Sequence, residues 1–385
     1  MNKIDELVRE MCPDGVEYVK IKDVTQYEQP TKYIVKDTKY NDDYKTPVLT
    51  AGQTFILGYT DETNGIYIAS KDAPVIIFDD FTGALKWVDF PFKIKSSAMK
   101  LITAKERILI RYLYYVMMSI GFNSTEHKRL WLSIYSEFKI PLPPIEIQER
   151  IVNILDKFTD LTKELNDKLK DELTLRKKQY EYYRDALLDF TNPISIIKNM
   201  LDKHGGVEYK ELSEICIITS GGDIPKENYS VTKTENFTVP IISNGVGDKA
   251  LYGYTDIPKI TETAVTISAR GTIGYAEYRD YSYYPVVRLL SIIPYDKNEL
   301  NCKYLYYCLQ DKKYNVPITG IPQLTIPMMK NLQIPLPPLA VQEKIVAILD
   351  KFYALCNDLN AGLPAEIEMR TKEYEYYRDK LLSFK

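Results

Sequence analysis

The sequence predicts an α+β protein in which two mixed α/β globules are separated by a pair of long antiparallel coiled-coil helices. Three observations carry this prediction: nearly half of the chain is duplicated, apolar residues in the duplicated part recur at helical spacing, and short β-type runs alternate with turn residues elsewhere. The length of 385 residues is enough for two or three domains. The duplication further predicts two similar halves related by pseudo-two-fold symmetry.

The duplication can be read directly from the sequence. Residues 140–190 align with residues 334–384 at a constant offset of 194 and without a gap, and 30 of the 51 aligned positions are identical. Both copies begin with IPLPP and contain YEYYRD near their ends. Shorter similarities upstream, such as YLYY at 112–115 and at 304–307, indicate that the repeat unit extends over each half of the chain.

Residues 1–144 and 191–338 are predicted to form the two globules. Apolar runs such as 74–78 and 263–268 alternate with turns rich in Gly, Asn and Asp, which is typical of short strands. Between the shared segments the halves diverge, because FDDFTGALKW in the first has no likeness to ISARGTIG in the second. We therefore expect one scaffold that carries two different recognition surfaces.

The duplicated segments are predicted to be helices, a central one at 145–190 and a C-terminal one at 339–385. Apolar residues recur every three or four positions in both. Gly362 and Pro364 should bend or restart the second helix. The residues predicted to form the seam are Ile151, Phe158, Leu165, Ile345, Phe352 and Leu359.

Each helix follows a proline run and has a Gln-Glu pair in its first turn, at 148–149 and 342–343. We interpret the prolines as a rigid extended lead-in and the acidic residue as favourable to the helix dipole. The tyrosines of the YEYYRD segments are interpreted as packing residues, with Arg184 and Arg378 capping or pairing.

Composition and missing motifs exclude several classes of function. The formal net charge is −3, and the five cysteines and two histidines form no C-x-x-C pair or histidine cluster, so a zinc site, an HNH-type nuclease and a disulfide-stapled scaffold are poor predictions. No phosphate-binding GxxxxGK[ST] loop, no [DNS]PP[YFW] motif of amino-methyltransferases and no catalytic constellation is present. Without a visible signal peptide or spanning segment, and without a C-x-x-C pair or histidine cluster, we expect a cytoplasmic protein with no metal site.

The candidate binding residues lie where the two halves differ. Arg270 stands in a glycine-flanked loop with two hydroxyl residues, and an arginine fork beside exposed backbone amides can approach a phosphate or a guanine edge. The alternative for this loop is a β-turn with a solvated arginine. Gln323 could address adenine bidentately. The residues predicted to bind are Thr82, Lys86, Trp87, His127, Lys128 and Arg129 in the first globule, and Ser268, Arg270, Gly271, Thr272, Gln323 and Thr325 in the second.

Two divergent globules, each followed by IPLPPxxxQExIxxILDxF and a long helix, resemble the DNA-specificity subunit of type I restriction–modification systems. The likeness covers the whole chain, and the segments SARGTIG, FDDFTGALKW and GIPQLTIPMMKNL also look like target-recognition sequence of that family. The resemblance implies that the globules are target recognition domains that read a bipartite, asymmetric site in double-stranded DNA.

The resemblance also implies partners. Two modification subunits would bind S-adenosylmethionine and methylate adenine, and restriction subunits would use ATP and Mg. This chain would bind no cofactor itself and would be a non-catalytic specificity subunit. The near-neutral charge offers no basic stripe for phosphates, so the modification subunits would supply much of the attraction for DNA. The competing interpretation is a duplicated helical assembly scaffold whose globules bind protein or carbohydrate.

Overall fold

The computed structural model describes residues 3–50, 54–121, 129–316, 321–357 and 362–384. Its α-helices are α1 (Lys3–Met11), α2 (Ile21–Val24), α3 (Ile110–Ser119), α4 (Ile145–Leu188), α5 (Ser195–His204), α6 (Leu212–Ile215), α7 (Cys302–Leu309), α8 (Ile326–Lys330), α9 (Leu339–Asn357) and α10 (Leu363–Leu381). Its strands are β1 (Glu17–Lys20), β2 (Thr25–Glu28), β3 (Thr46–Leu49), β4 (Ile56–Thr60), β5 (Val75–Asp79), β6 (Leu85–Val88), β7 (Lys93–Ile94), β8 (Met99–Ala104), β9 (Lys139–Leu142), β10 (Glu208–Glu211), β11 (Cys216–Ser220), β12 (Val239–Ile242), β13 (Leu251–Thr255), β14 (Ala264–Ser268), β15 (Ala276–Arg279), β16 (Tyr284–Pro285), β17 (Leu289–Pro294) and β18 (Gln333–Leu336).

The chain divides into two compact units, residues 1–169 with 366–385, and residues 170–365. Each unit therefore contains one globule and parts of the helical segments, instead of the helices standing apart from the globules. The continuous helix α4 begins in the first unit and ends in the second.

The first unit contains a four-stranded antiparallel sheet, a three-stranded sheet and a two-stranded pair. Their strand orders are β2-β8-β5-β6, β4-β3-β7 and β1-β9. The central strand β5 is buried over Val75–Phe78, and α3 packs its apolar face on the same core, where Tyr112 and Leu113 are fully buried. The β-branched and aromatic residues of β5 suit a strand that is covered on both faces.

The second unit repeats this topology strand for strand. Its sheets have the orders β11-β17-β14-β15, β13-β12-β16 and β10-β18. A register shift after Val48 in β3 recurs after Ile241 in β12, and β3–β7 and β12–β16 are both parallel pairs. The duplicated fold predicted from the sequence is thus confirmed, and the two halves also share the irregularity of one strand.

Helices pair in antiparallel directions within each unit. In the first, the ring of Phe158 on α4 stacks on Tyr377 of α10 with centroids 6.1 Å apart. In the second, Phe352 of α9 stacks on Tyr183 of α4 at 5.3 Å. These two pairs occupy matching positions of the repeat, so the same contact is made twice.

The residues predicted to form the helix seam have different surroundings in the structure. Ile151 and Ile345 are fully buried in the cores of their own globules, because the first turns of α4 and α9 pack on those globules. Leu165 is 37% exposed, and Leu359 lies outside the described residues. The C-terminal helix is interrupted as expected: α9 ends at Asn357 and α10 begins at Leu363.

No helix in the part of the chain that the structure describes is both long and apolar enough to cross a membrane.

Candidate functional site

A buried glutamine fastens the first globule to its helix. Gln148 is fully buried at the start of α4. Its Nε2 donates to the main-chain carbonyls of Pro143 (2.8 Å) and Arg107 (3.2 Å), and its Oε1 accepts from the N–H of Leu109 at 2.9 Å. One amide side chain thereby joins the proline turn, the start of the helix and the residues that precede α3.

Gln342 repeats this arrangement in the second unit. Its Nε2 donates to the carbonyls of Pro337 and Glu299, both at 2.8 Å, and its Oε1 accepts from the N–H of Asn301 at 2.9 Å. Our interpretation of the Gln-Glu pairs as only a favourable helix start was incomplete. The partners of the amide lie about forty positions upstream, where helical spacing gives no information.

Two tyrosines of the repeated YLYY segment complete the attachment. The hydroxyl of Tyr112 donates to the carbonyl of Pro141 at 3.1 Å, and that of Tyr115 donates to the carboxylate of Asp156 on α4. Burial raises the pKa of Tyr115 above its usual range, and the bond to Asp156 raises it further. The hydroxyl therefore keeps its proton and remains a donor. In the second unit, the hydroxyl of Tyr304 donates to the carbonyl of Pro335, and that of Tyr307 donates to the carboxylate of Asp350.

The tip of the β5–β6 hairpin is the candidate surface of the first globule. The Asp79 carboxylate accepts from the N–H groups of Phe81 (2.8 Å) and Thr82 (2.9 Å), which fixes the turn. The main-chain carbonyl of Asp80 accepts from the N–H of Leu130 at 2.8 Å, so residue 129 is held beside this tip. Thr82 and Arg129 are both exposed there, as a binding surface requires.

Other predicted residues of the first globule have different surroundings. The Trp87 ring lies under the guanidinium of Arg111, with 4.6 Å from Cζ to the ring centroid, and is half-buried. Its face is therefore occupied from within the unit. Lys86 places Nζ 5.6 Å from the ring centroid of Phe55. His127 and Lys128 lie outside the described residues.

In the second globule, Asn244 shapes the loop that carries Arg270. Its main-chain carbonyl accepts from the hydroxyls of Ser268 (3.1 Å) and Thr272 (3.0 Å), and its Nδ2 donates to the carbonyl of Arg270. Gly271, at φ +78°, allows the tight turn between them. Ser268 is 1% exposed, so this hydroxyl holds the loop and is not offered at the surface.

Asn244 was missed by sequence reasoning. The only signal available was its position before Gly245, a dipeptide that marks a turn but not what the turn supports. By contrast, the guanidinium of Arg270 makes no hydrogen bond or ion pair with any described residue.

The structure brings Gln323 next to this loop. The N–H of Leu324 donates to the carbonyl of Ala269 at 2.8 Å, and Gln323 is exposed beside that bond. Thr325 caps the short helix α8, because its Oγ1 accepts from the N–H of Met328. Arg270, Gly271, Thr272 and Gln323 therefore share one surface, whereas the Thr325 hydroxyl is engaged in the cap.

Comparison with known proteins gives consistent similarities. Residues 13–175 and 204–369 each match the family model described as the type I restriction modification DNA specificity domain. The type I restriction enzyme EcoR124I/EcoR124II specificity subunit of Escherichia coli is 42% identical over 412 residues, which cover 96% of this chain and 95% of that one. A putative type I restriction enzyme specificity subunit of Haemophilus influenzae is 33% identical over 345 residues, 86% of both chains.

The fold also has a solved counterpart. A chain from a structure of complex assembly and conformational transition in the type I R-M system covers 96% of this chain and 98% of its own length, with a TM-score of 0.61. At 18% identity this is a likeness of fold.

Proposed function

The chain belongs to the family of type I restriction modification DNA specificity domains, and on that premise we propose that it reads a bipartite, asymmetric site in double-stranded DNA for partner subunits that modify and cut it. One observation carries the proposal: two globules of the same topology present different exposed side chains at the same hairpin tip. Such a pair supplies two unlike half-sites on one scaffold.

The chemistry would belong to the partners. Modification subunits would bring S-adenosylmethionine, and restriction subunits would bring ATP and Mg, in the cytoplasm where the DNA lies. This chain would bind none of these cofactors and would contribute recognition only. In its described part, no group of three or more His, Cys, Asp or Glu side chains is arranged to hold a metal ion.

We expect the lone chain to bind DNA weakly and the complex with modification subunits to bind it site-specifically. Phosphate neutralisation supplies most of the affinity for DNA, and a chain of net charge −3 supplies little of it. Footprinting at one salt concentration should show both half-sites protected by the complex, at an affinity roughly tenfold or more above that of the lone chain.

Two outcomes would speak against this assignment. Equal protection by the lone chain would show that the partners are not needed for affinity. A complex that protects no specific sequence would favour the assembly scaffold that binds protein or carbohydrate.

Arg270→Ala should relax recognition in one half-site only. Its guanidinium, which has no partner among the described residues, stands on the loop held by Asn244, where a contact to a base is worth about 1–3 kcal/mol. Mapping of methylated positions should show one base pair losing its preference. Lys233→Ala, which removes an exposed cation from the same globule, is the control and should leave the site unchanged. Unchanged methylation kinetics of Arg270→Ala on cognate DNA would refute the contact.

A further inference from the structure

One hydrogen bond occupies the same place in both globules. In the first, the N–H of Leu130 donates to the carbonyl of Asp80, and in the second the N–H of Leu324 donates to the carbonyl of Ala269, both at 2.8 Å. Both leucines are 1% exposed. Each acceptor immediately follows the central strand, β5 or β14, so the bond ties the hairpin tip to the segment that precedes the last strand of the globule.

The register of the sheets establishes that these positions match. Phe78 of β5 lies opposite Lys100 of β8, and Ile267 of β14 lies opposite Leu290 of β17. The acceptor of the shared bond lies two residues after each of these positions, at Asp80 and at Ala269. The residue that follows the acceptor is therefore equivalent in the two globules, and so is the residue that precedes the donor leucine.

These equivalent positions carry different side chains. Phe81 and Arg129 flank the bond in the first globule, and Arg270 and Gln323 flank it in the second. Arg129 and Gln323 are exposed, Phe81 is 36% exposed, and Arg270 is partly exposed. Within the described residues, none of the four side chains makes a hydrogen bond or an ion pair. Among the described residues, the Phe81 ring belongs to neither hydrophobic core of the first unit.

The main chain beneath these side chains is fixed independently of them. The Asp79 carboxylate holds the N–H of Phe81, and the Asn244 side chain holds the carbonyl of Arg270. Both tips therefore present their side chains from a preformed backbone, which lowers the ordering cost of a contact.

We propose that these two matched pairs, Phe81 with Arg129 and Arg270 with Gln323, determine which bases each globule accepts. The inference rests on the proposed function and assigns its specificity to four positions. Arginine reads guanine and glutamine reads adenine through bidentate bonds, whereas a phenylalanine ring can contact the methyl group of thymine. Phe81 was not among the residues predicted from the sequence, since a lone phenylalanine near a turn indicates packing.

The test uses the complex with its modification subunits, expressed in a host without other adenine methyltransferases, and long-read mapping of its genomic DNA. The half-site of the first globule is the one that changes when residues 1–140 are exchanged. Arg129→Ala should lower discrimination at one base pair of that half-site by about 5- to 150-fold, and Phe81→Ala should lower it at one base pair by a smaller factor. Gln323→Ala should do so in the other half-site alone.

Ile68→Ala is the matched control. Ile68 is 72% exposed in the first globule and lies outside the pair, so its removal should leave both the site and the melting temperature unchanged. If all variants melt at the same temperature as the wild type, a loss of discrimination reflects a lost contact and not a loss of folding.

The outcomes distinguish this inference from the function on which it rests. Wild-type methylation of a bipartite site together with unchanged discrimination in Phe81→Ala and Arg129→Ala would overturn the assignment of specificity. A uniform loss at all sites would also overturn it, because it would place these side chains on phosphates. A wild-type complex without sequence preference would instead refute the proposed function.

Discussion

Exchanging residues 1–140 for the same segment of another subunit of this family should replace one half-site and leave the other unchanged. The exchanged segment contains the four-stranded and three-stranded sheets and the hairpin tip of the first globule, whereas the second globule lies wholly outside it. The junction falls between strand residues of β9, after Ile140, so the proline run and Gln148 remain in place. Mapping methylated positions in a strain that carries the hybrid would test the prediction.

The bonds that attach the first globule to α4 determine which subunit can supply the exchanged segment. Among the described residues, Gln148 bonds only to main-chain atoms, which every replacement segment supplies. The carbonyl of Pro141 and the carboxylate of Asp156, in contrast, need hydroxyls at positions 112 and 115. The replacement segment should therefore come from a subunit that has tyrosine at both positions. The reciprocal exchange of residues 194–334 serves as the control and should alter the other half-site. A hybrid in which both half-sites change together would refute the modular arrangement.

Asp80→Ala should destabilise the first unit by about 3–5 kcal/mol, the usual cost of breaking a buried ion pair. Asp80 and Lys100 are both about 2% exposed, and their charged atoms lie 3.2 Å apart. The same carboxylate accepts from the N–H of Trp131 at 2.8 Å. The substitution removes the carboxylate partner of a buried ammonium, which keeps its hydrogen bond to the side-chain oxygen of Gln29, and it leaves a buried amide without its acceptor. A lower midpoint of denaturant unfolding should report the loss.

The second globule supplies the matched control for this prediction. The positions equivalent to Asp80 and Lys100 are occupied there by Ala269 and Leu290, 1% and 3% exposed. The same sheet thus accepts an apolar pair, and Asp80→Ala combined with Lys100→Leu should recover most of the lost stability. If the double variant were as unstable as Asp80→Ala alone, the unpaired lysine would not be the cause.

Periodic features of this protein were predictable from its sequence. The sequence predicts the central helix at 145–190, and the helix spans Ile145–Leu188. This agreement arises because apolar residues at helical spacing line one face of a helix. The interruption at Gly362 and Pro364 was predictable for an equally local reason, the poor fit of both residues to a helix interior.

Contacts distant in sequence were not predictable. Ile151 looked like a seam residue, since spacing shows that a face is apolar but not whether a helix or a globule covers it. Ser268 looked like a surface hydroxyl, since nothing local reveals that Asn244 accepts from it at a distance of 24 positions. The Trp87 ring is covered by Arg111 in the same way. The location of the binding surface in the region of divergence stays a prediction, while the surroundings of its individual residues depended on the fold.

The bonds of Gln148 and Gln342 have a consequence for inheritance. Since these amides address backbone atoms of the globule, substitutions that accumulate in its loops do not alter their partners. The loops of a globule can therefore change in sequence without a matching change in the duplicated segment. The two copies of that segment, identical at 30 of 51 aligned positions, would then offer equivalent points of attachment for globules of this kind. A single genetic exchange can deliver a new loop set onto an attachment that already accommodates it.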